Sequence, residues 1–199
     1  MDKRADEKIL DFLNEVEKRE AKKDICNGQV KIGNRYYEFE EKEFFDEKLK
    51  IYIPKDFEDM PIEARKANYQ LENGPDVVKC NEKGDTRITL KIIDSPLDEE
   101  QVEKLKDGMK ESVKNTNPIN VFYEDGALEV DSKNIGFFEF KSYTIDGSLC
   151  NLMFFLEFEG KALMGTFCCL YAEYGEWRDI AFEVIKTIRV IKEDKGDEI

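Results

Sequence analysis

Between Ile119 and Tyr171 the chain packs five strand-like runs with almost nothing between them: INVFYE, ALEVD, NIGFFEFKSYTI, SLCNLMFFLEFE and KALMGTFCCLY. The links include Asp125-Gly126, Asp146-Gly147 and the Glu159-Gly160-Lys161 corner, residue types that tolerate the positive φ of tight hairpin turns. Links this short leave no room for a crossover helix, so the runs are predicted to form an antiparallel meander. Such a sheet needs a cover. Trp177, Ile180, Ala181, Val184, Ile185 and Ile188 recur at the period of one helix face, which predicts a helix from Glu176 to about Ile188 closing over the sheet.

Upstream, TRITLKII (residues 86–93) alternates with Ile88, Leu90 and Ile92 on one face, and Asp94-Ser95-Pro96 is read as its break. A helix is expected from Asp98 to Asn117, opened by a capping-box-like Asp98 and Gln101 and carrying the stripe Val102, Leu105, Met109 and Val113. A short helix is expected over PIEARKANY, with Pro61 in the first turn, and a loop at Asn73-Gly74-Pro75. QVKI and RYYEFEE flank Gly33-Asn34 as a hairpin, followed by the strand LKIYIP. The aromatics Tyr36, Tyr37, Phe39, Phe44 and Phe45 are read as packing on a sheet, an exposed contact patch being the other reading. Residues 2–22 carry Ile9, Phe12, Leu13 and Val16 at helical spacing, with Glu15 placed to support Arg19. That stripe is short, so the segment is expected to be detachable.

The chain has 199 residues and a formal net charge of -14. Such a field repels nucleic-acid backbones and anionic membrane surfaces. Apolar runs such as LMFFL, residues 152–156, fall far short of the roughly 20 residues a membrane helix needs. No export or lipidation signal is recognised at MDKRADEKIL or KEDKGDEI, so a cytoplasmic location is expected.

Five cysteines (Cys26, Cys80, Cys150, Cys168 and Cys169) are scattered, odd in number and free of any CxxC spacing, which reads as reduced thiols. Strand alternation would send the adjacent Cys168 and Cys169 to opposite faces as small core groups. There is no histidine in the chain, which removes the commonest general base. GxSxG, GxxxxGK[ST] and GxGxxG are also missing. DSKNIG after Val130 looks like part of a calcium loop, yet Lys133 stands at a ligand position and the terminal glutamate is lacking. Trp177 is assigned to the core by its place on the last helix. No catalytic, cofactor-binding or metal-binding residue is therefore assigned, and no cofactor is expected.

IYIPKDFEDM, NGPDVVKCNEKGDTRITL, DSPLDEEQVEKLKDGMKE, IGFFEFKSYTIDGSLCNLMFF, GKALMGTFCCLYAEYGEW and KTIRV stand in an order that resembles the Mog1/PsbP-like fold family, and within it a group of bacterial cytoplasmic proteins. The resemblance covers residues 49–191 and rests on core and turn positions. It implies an α+β fold, an α/β/α sandwich whose twisted, mainly antiparallel sheet of about six strands is flanked by helices. Residues 1–48 would then be a helix and hairpin extension and 192–199 a charged tail. Members of the family act mostly as binding or accessory proteins, among them a nuclear-transport GTPase regulator and photosystem assembly subunits. The expectation is a non-enzymatic protein-binding or accessory role, such as an immunity or secretion-accessory factor, with a protein partner that carries a basic patch and contacts residues 1–48. The alternative is a hydrolase or small-molecule-binding domain with a carboxylate-lined pocket.

Overall fold

The computed structural model describes residues 24–69, 73–145 and 147–191; the helix expected over residues 2–22 and the tail 192–199 lie outside them. Within the described residues a seven-stranded sheet runs in the order β4 (Glu58–Asp59), β5 (Val77–Cys80), β6 (Arg87–Pro96), β10 (Lys161–Leu170), β9 (Gly147–Phe158), β8 (Lys133–Thr144) and β7 (Val121–Val130). All of its neighbours pair antiparallel. The meander expected from the short links is thus present, and β6 adds to it beside β10. A second sheet holds β1 (Gln29–Ile32), β2 (Arg35–Phe44), β3 (Leu49–Pro54) and β11 (Arg189–Val190), in that order. The helices are α1 (Ile62–Asn68), α2 (Val102–Thr116) and α3 (Tyr174–Lys186). The fold is α+β as expected, with seven strands in the main sheet rather than about six and a second sheet beside it.

Strand alternation sorts the core into layers. In the pairs Phe137-Phe138 and Phe154-Phe155, one ring joins the main core with α3 and the second sheet, while the other lies with Phe140 beneath Leu105, Met109 and Val113 of α2. On that same side α1 lays Ala64 near Val78 and Cys80. The result is helices α1 and α2, then the large sheet, then α3 together with the small sheet. Trp177, Ile180, Ala181, Val184 and Ile185 are all buried, so the periodic stripe of the last helix is the face that packs. Trp177 sits among Tyr37, Phe57 and Phe167, with ring centroids 5.1, 6.2 and 5.6 Å away.

Four expectations change. The hairpin of residues 29–44 is not an appendage, because β2 pairs with β3 from Phe39 to Phe44 and Ile25, Val30, Ile32 and Phe44 belong to the main core. The boundary at residue 48 falls in the turn between two hydrogen-bonded strands. Asp94-Ser95-Pro96 does not break β6, which runs to Pro96; a proline at a strand end removes no interior ladder bond. Asp98 makes no side-chain cap: a 3-10 turn of Glu99–Gln101 precedes α2, and the Glu99 carboxylate instead accepts from the Asn134 N–H at 3.1 Å. Finally, INVFYE and ALEVD are one strand, β7, and its turn into β8 is Asp131-Ser132, both with positive φ. The stretch that looks like a calcium loop is this hairpin turn, and Lys133 is buried between the Glu99 and Glu157 carboxylates.

Candidate interaction surface

Asp125-Gly126, expected as a turn, continues strand β7 just past a bulge. Phe122 pairs with Phe140 and Asp125 with Phe138, so Tyr123 and Glu124 together oppose the single residue Glu139. Two residues against one leave both on the face that Glu139 occupies. Asp125 is sent to the opposite face, where Lys106 and Lys110 of α2 bind it at 3.2 and 2.5 Å. Gly126 then lies against the Phe137 ring, where a β-carbon would sit 3.4 Å from it.

On the α3 side the bulge completes a polar network. Glu139 is 2 % exposed, and a carboxylate that deep must be paired and hydrogen-bonded. Tyr174 donates its hydroxyl to Oε1 at 3.0 Å, and the Arg178 guanidinium donates through Nη2 to Oε2 at 2.8 Å. Arg178 Nη2 also reaches Glu124, the second bulge residue, at 2.6 Å. Burial and the Glu139 charge hold the Tyr174 phenol above its ordinary range, so it stays a donor at neutral pH. Tyr174 and Arg178 stand one helical turn apart at the start of α3. The network therefore fixes where that helix begins on the sheet.

Outside this network the surface turns aromatic. Tyr123 stacks on Tyr174 with ring centroids 5.7 Å apart, and Tyr171 stacks on Tyr174 at 6.3 Å. Burial, then a hydrogen bond with Tyr171, pushes the Tyr123 phenol up to about 12. Lys141, which pairs with Val121 across the ladder, holds its ammonium 3.7 Å from the Tyr171 ring centroid and 4.9 Å from that of Tyr143. Ile119 precedes β7, and Ile145 stands in the turn after β8. Of the nine large hydrophobic side chains exposed among the described residues, six lie at this corner: Ile119, Val121, Tyr123, Tyr143, Ile145 and Tyr171. Single exposed apolar residues are ordinary, whereas a contiguous group marks a contact surface.

Nothing in the local sequence pattern marked this corner as a site. Its residues were read as ordinary strand and turn positions, and only the chain's register and α3 bring them together. The aromatics of residues 36–45 mostly face inward: Phe44 is buried, Tyr37, Phe39 and Phe45 pack against the main core, and Tyr36 is exposed. Cys168 and Cys169 take opposite faces, as alternation predicts, but the ladder sets Cys169 directly opposite Cys150. Both line a space of about 10 Å³ beside Glu139 and Trp177, room for one water molecule at most. Burial raises both thiols, Cys150 to about 11, which keeps them protonated and weakly nucleophilic. Among the described residues, no group of three or more Cys, Asp or Glu is arranged to hold a metal ion.

A wider cleft of about 420 Å³ lies at the far side of the sheet, lined by Asp56, Glu58, Asp59 and Glu82 with Arg35 and Asn81. Its acids are open to solvent: Asp59 is 80 % exposed and pairs with Lys79 at 3.0 Å, and Asp56 pairs with Arg35 at 2.5 Å. No helix of the described residues is long and apolar enough to cross a membrane.

No protein-family profile and no curated protein matches the sequence. Solved structures do match. The cyanobacterial PsbP (CyanoP) of Synechocystis sp. PCC 6803 superposes with a TM-score of 0.57 at 12% identity, over 80% of this chain and 96% of that one. A protein of Bacteroides thetaiotaomicron VPI-5482 does so with a TM-score of 0.51 at 10% identity, over 77% of this chain but 48% of its own length. Likeness at such identity concerns the path of the backbone and not the chemistry grafted on it. The chain has a PsbP-like α+β fold.

Proposed function

We propose that this chain is a non-enzymatic binding or accessory protein that docks another protein at the tyrosine corner of β7, β8 and α3. The observation that supports this reading is the concentration there of six exposed apolar side chains, three of them tyrosines, over a hydrogen-bonded network. Tyrosine and isoleucine on a prepositioned surface lose little conformational freedom on binding. In the cytoplasm, such a protein would serve as an accessory factor of the immunity or secretion-associated kind. The net charge of -14 favours a partner whose surface is basic overall, with an association rate that falls as salt rises.

The test is affinity capture from the native lysate with the full chain and with a Tyr143→Ser, Ile145→Ser variant. The full chain should recover a partner and the variant should not, while both melt alike. Recovery of the same partner by both would move the contact off the corner. A second reading, a hydrolase or small-molecule-binding domain, is favoured by the carboxylate-lined cleft of about 420 Å³. Turnover of a small molecule that is abolished by Asp59→Asn, with no partner captured, would favour it over docking.

A further inference from the structure

The two cations at the tyrosine corner are in different electrostatic states. Arg178 is neutralised by Glu139 and Glu124. Lys141 has no carboxylate partner among the described residues, and its ammonium lies over the rings of Tyr143 and Tyr171. Those rings attract the ammonium and cover its hydrocarbon stem, but they supply no acceptor oxygen from their faces. Its three N–H donors are therefore left for water or a ligand. This happens on a chain with 45 acids against 31 bases, and two acids on the same face, Glu124 and Glu139, are already engaged by Arg178.

We infer that the segment of a partner protein that docks here carries a carboxylate, which it sets on the Lys141 ammonium between Tyr143 and Tyr171 while an adjacent apolar side chain covers Val121 and Ile145. This rests on the reading of the corner as a docking surface. A carboxylate fits better than a phosphate: the site offers one unpaired point charge, and its second cation, Arg178, is already neutralised and cannot balance a dianion. A basic partner overall and an acidic docking segment are compatible, because the two act at different ranges. The net field of the chain reaches out to the Debye length of roughly 8 Å, whereas at contact the charge that is left unpaired decides.

Random linear peptides are selected on immobilised full-length protein at physiological salt, in parallel with Lys141→Glu, Lys141→Gln and the Tyr143→Ser, Ile145→Ser variant. The wild type should select peptides with Asp or Glu next to an aromatic or aliphatic residue. Those peptides should bind Lys141→Gln and Lys141→Glu at least about tenfold more weakly, and Lys141→Glu should select Lys or Arg at the same place. Thermal melts of each variant show that the fold is intact. Selected peptides without acidic enrichment, or with unchanged affinity for both Lys141 variants, overturn the inference. If those same peptides are lost on the Tyr143→Ser, Ile145→Ser variant, the corner stands as a docking surface and only its charge preference falls. Equal binding to every variant, or no peptide selected, counts against both.

Discussion

Gly165 is required by a ring and not by a turn. It sits in mid-strand opposite Phe154, and a β-carbon there would lie 2.0 Å from that ring, far inside contact distance. Glycine in a strand interior forgoes side-chain packing, and here the Phe154 ring takes the vacant volume. Gly165→Ala should lower the unfolding free energy by about 1–3 kcal/mol, the usual range for overpacking a core, measured by chemical denaturation. Adding Phe154→Leu should recover part of that loss. An unchanged midpoint in the single variant would mean that the ring moves aside without cost. Glu139 is the other position whose environment dictates its partners, because removing Arg178 or Tyr174 would leave a buried carboxylate short of one of its donors.

Strand β7 is the element on which the candidate surface depends. Its bulge sends Tyr123 and Glu124 toward α3 and Asp125 toward α2, so one irregularity ties the sheet edge to helices on both faces. A charged, kinked edge also resists pairing with other strands. The hydrogen bond from Lys110, reinforced by Lys106 against the cost of burial, holds the Asp125 carboxyl below its ordinary value. The unfolded chain takes up that proton at a higher pH than the folded one. The contribution of Asp125 is therefore complete above the unfolded value of about 3.9 and is lost as pH falls through the folded value. Asp125→Asn should cost stability at neutral pH, and the gap to wild type should close as the solution is acidified below about pH 4. A gap of constant size across acid titration would show that Asp125 acts by shape alone.

At the scale of the whole molecule, the main core joins the two sheets through α3. It includes Ile25, Val30, Ile32 and Phe44 from the first hairpin together with Phe154, Leu163 and Trp177. The folding unit accordingly includes the first hairpin, upstream of the stretch that resembles PsbP-like proteins. Removal of residues 1–22 should leave a single cooperative melt, since the apolar stripe there is short. Removal of residues 1–47 should abolish it, because β3 loses its β2 partner and the core loses one wall. Calorimetry of the two truncations checks both outcomes, and a cooperative melt of the shorter chain would restore the hairpin to the status of an appendage.

Local periodicity determined much of this protein. The helix stripe from Trp177 to Ile188, the alternating strands of residues 134–171 and the opposed faces of Cys168 and Cys169 follow from repeats of 3.6 and 2 residues, which act between near neighbours in the chain. The bulge at Tyr123 and Glu124, the facing pair Cys150 and Cys169, and the place of the first hairpin beside α3 were decided only by tertiary structure. Asp125-Gly126 has the composition of a turn, and what keeps it in the strand beside the bulge is the register of β7 against β8 and the pull of two lysines on α2. The tyrosine corner draws on residues from 119 to 178 whose side chains meet only once the strands are in register and α3 is seated. Such meetings depend on which backbone hydrogen bonds close between distant segments, and no repeat within a single segment carries that information.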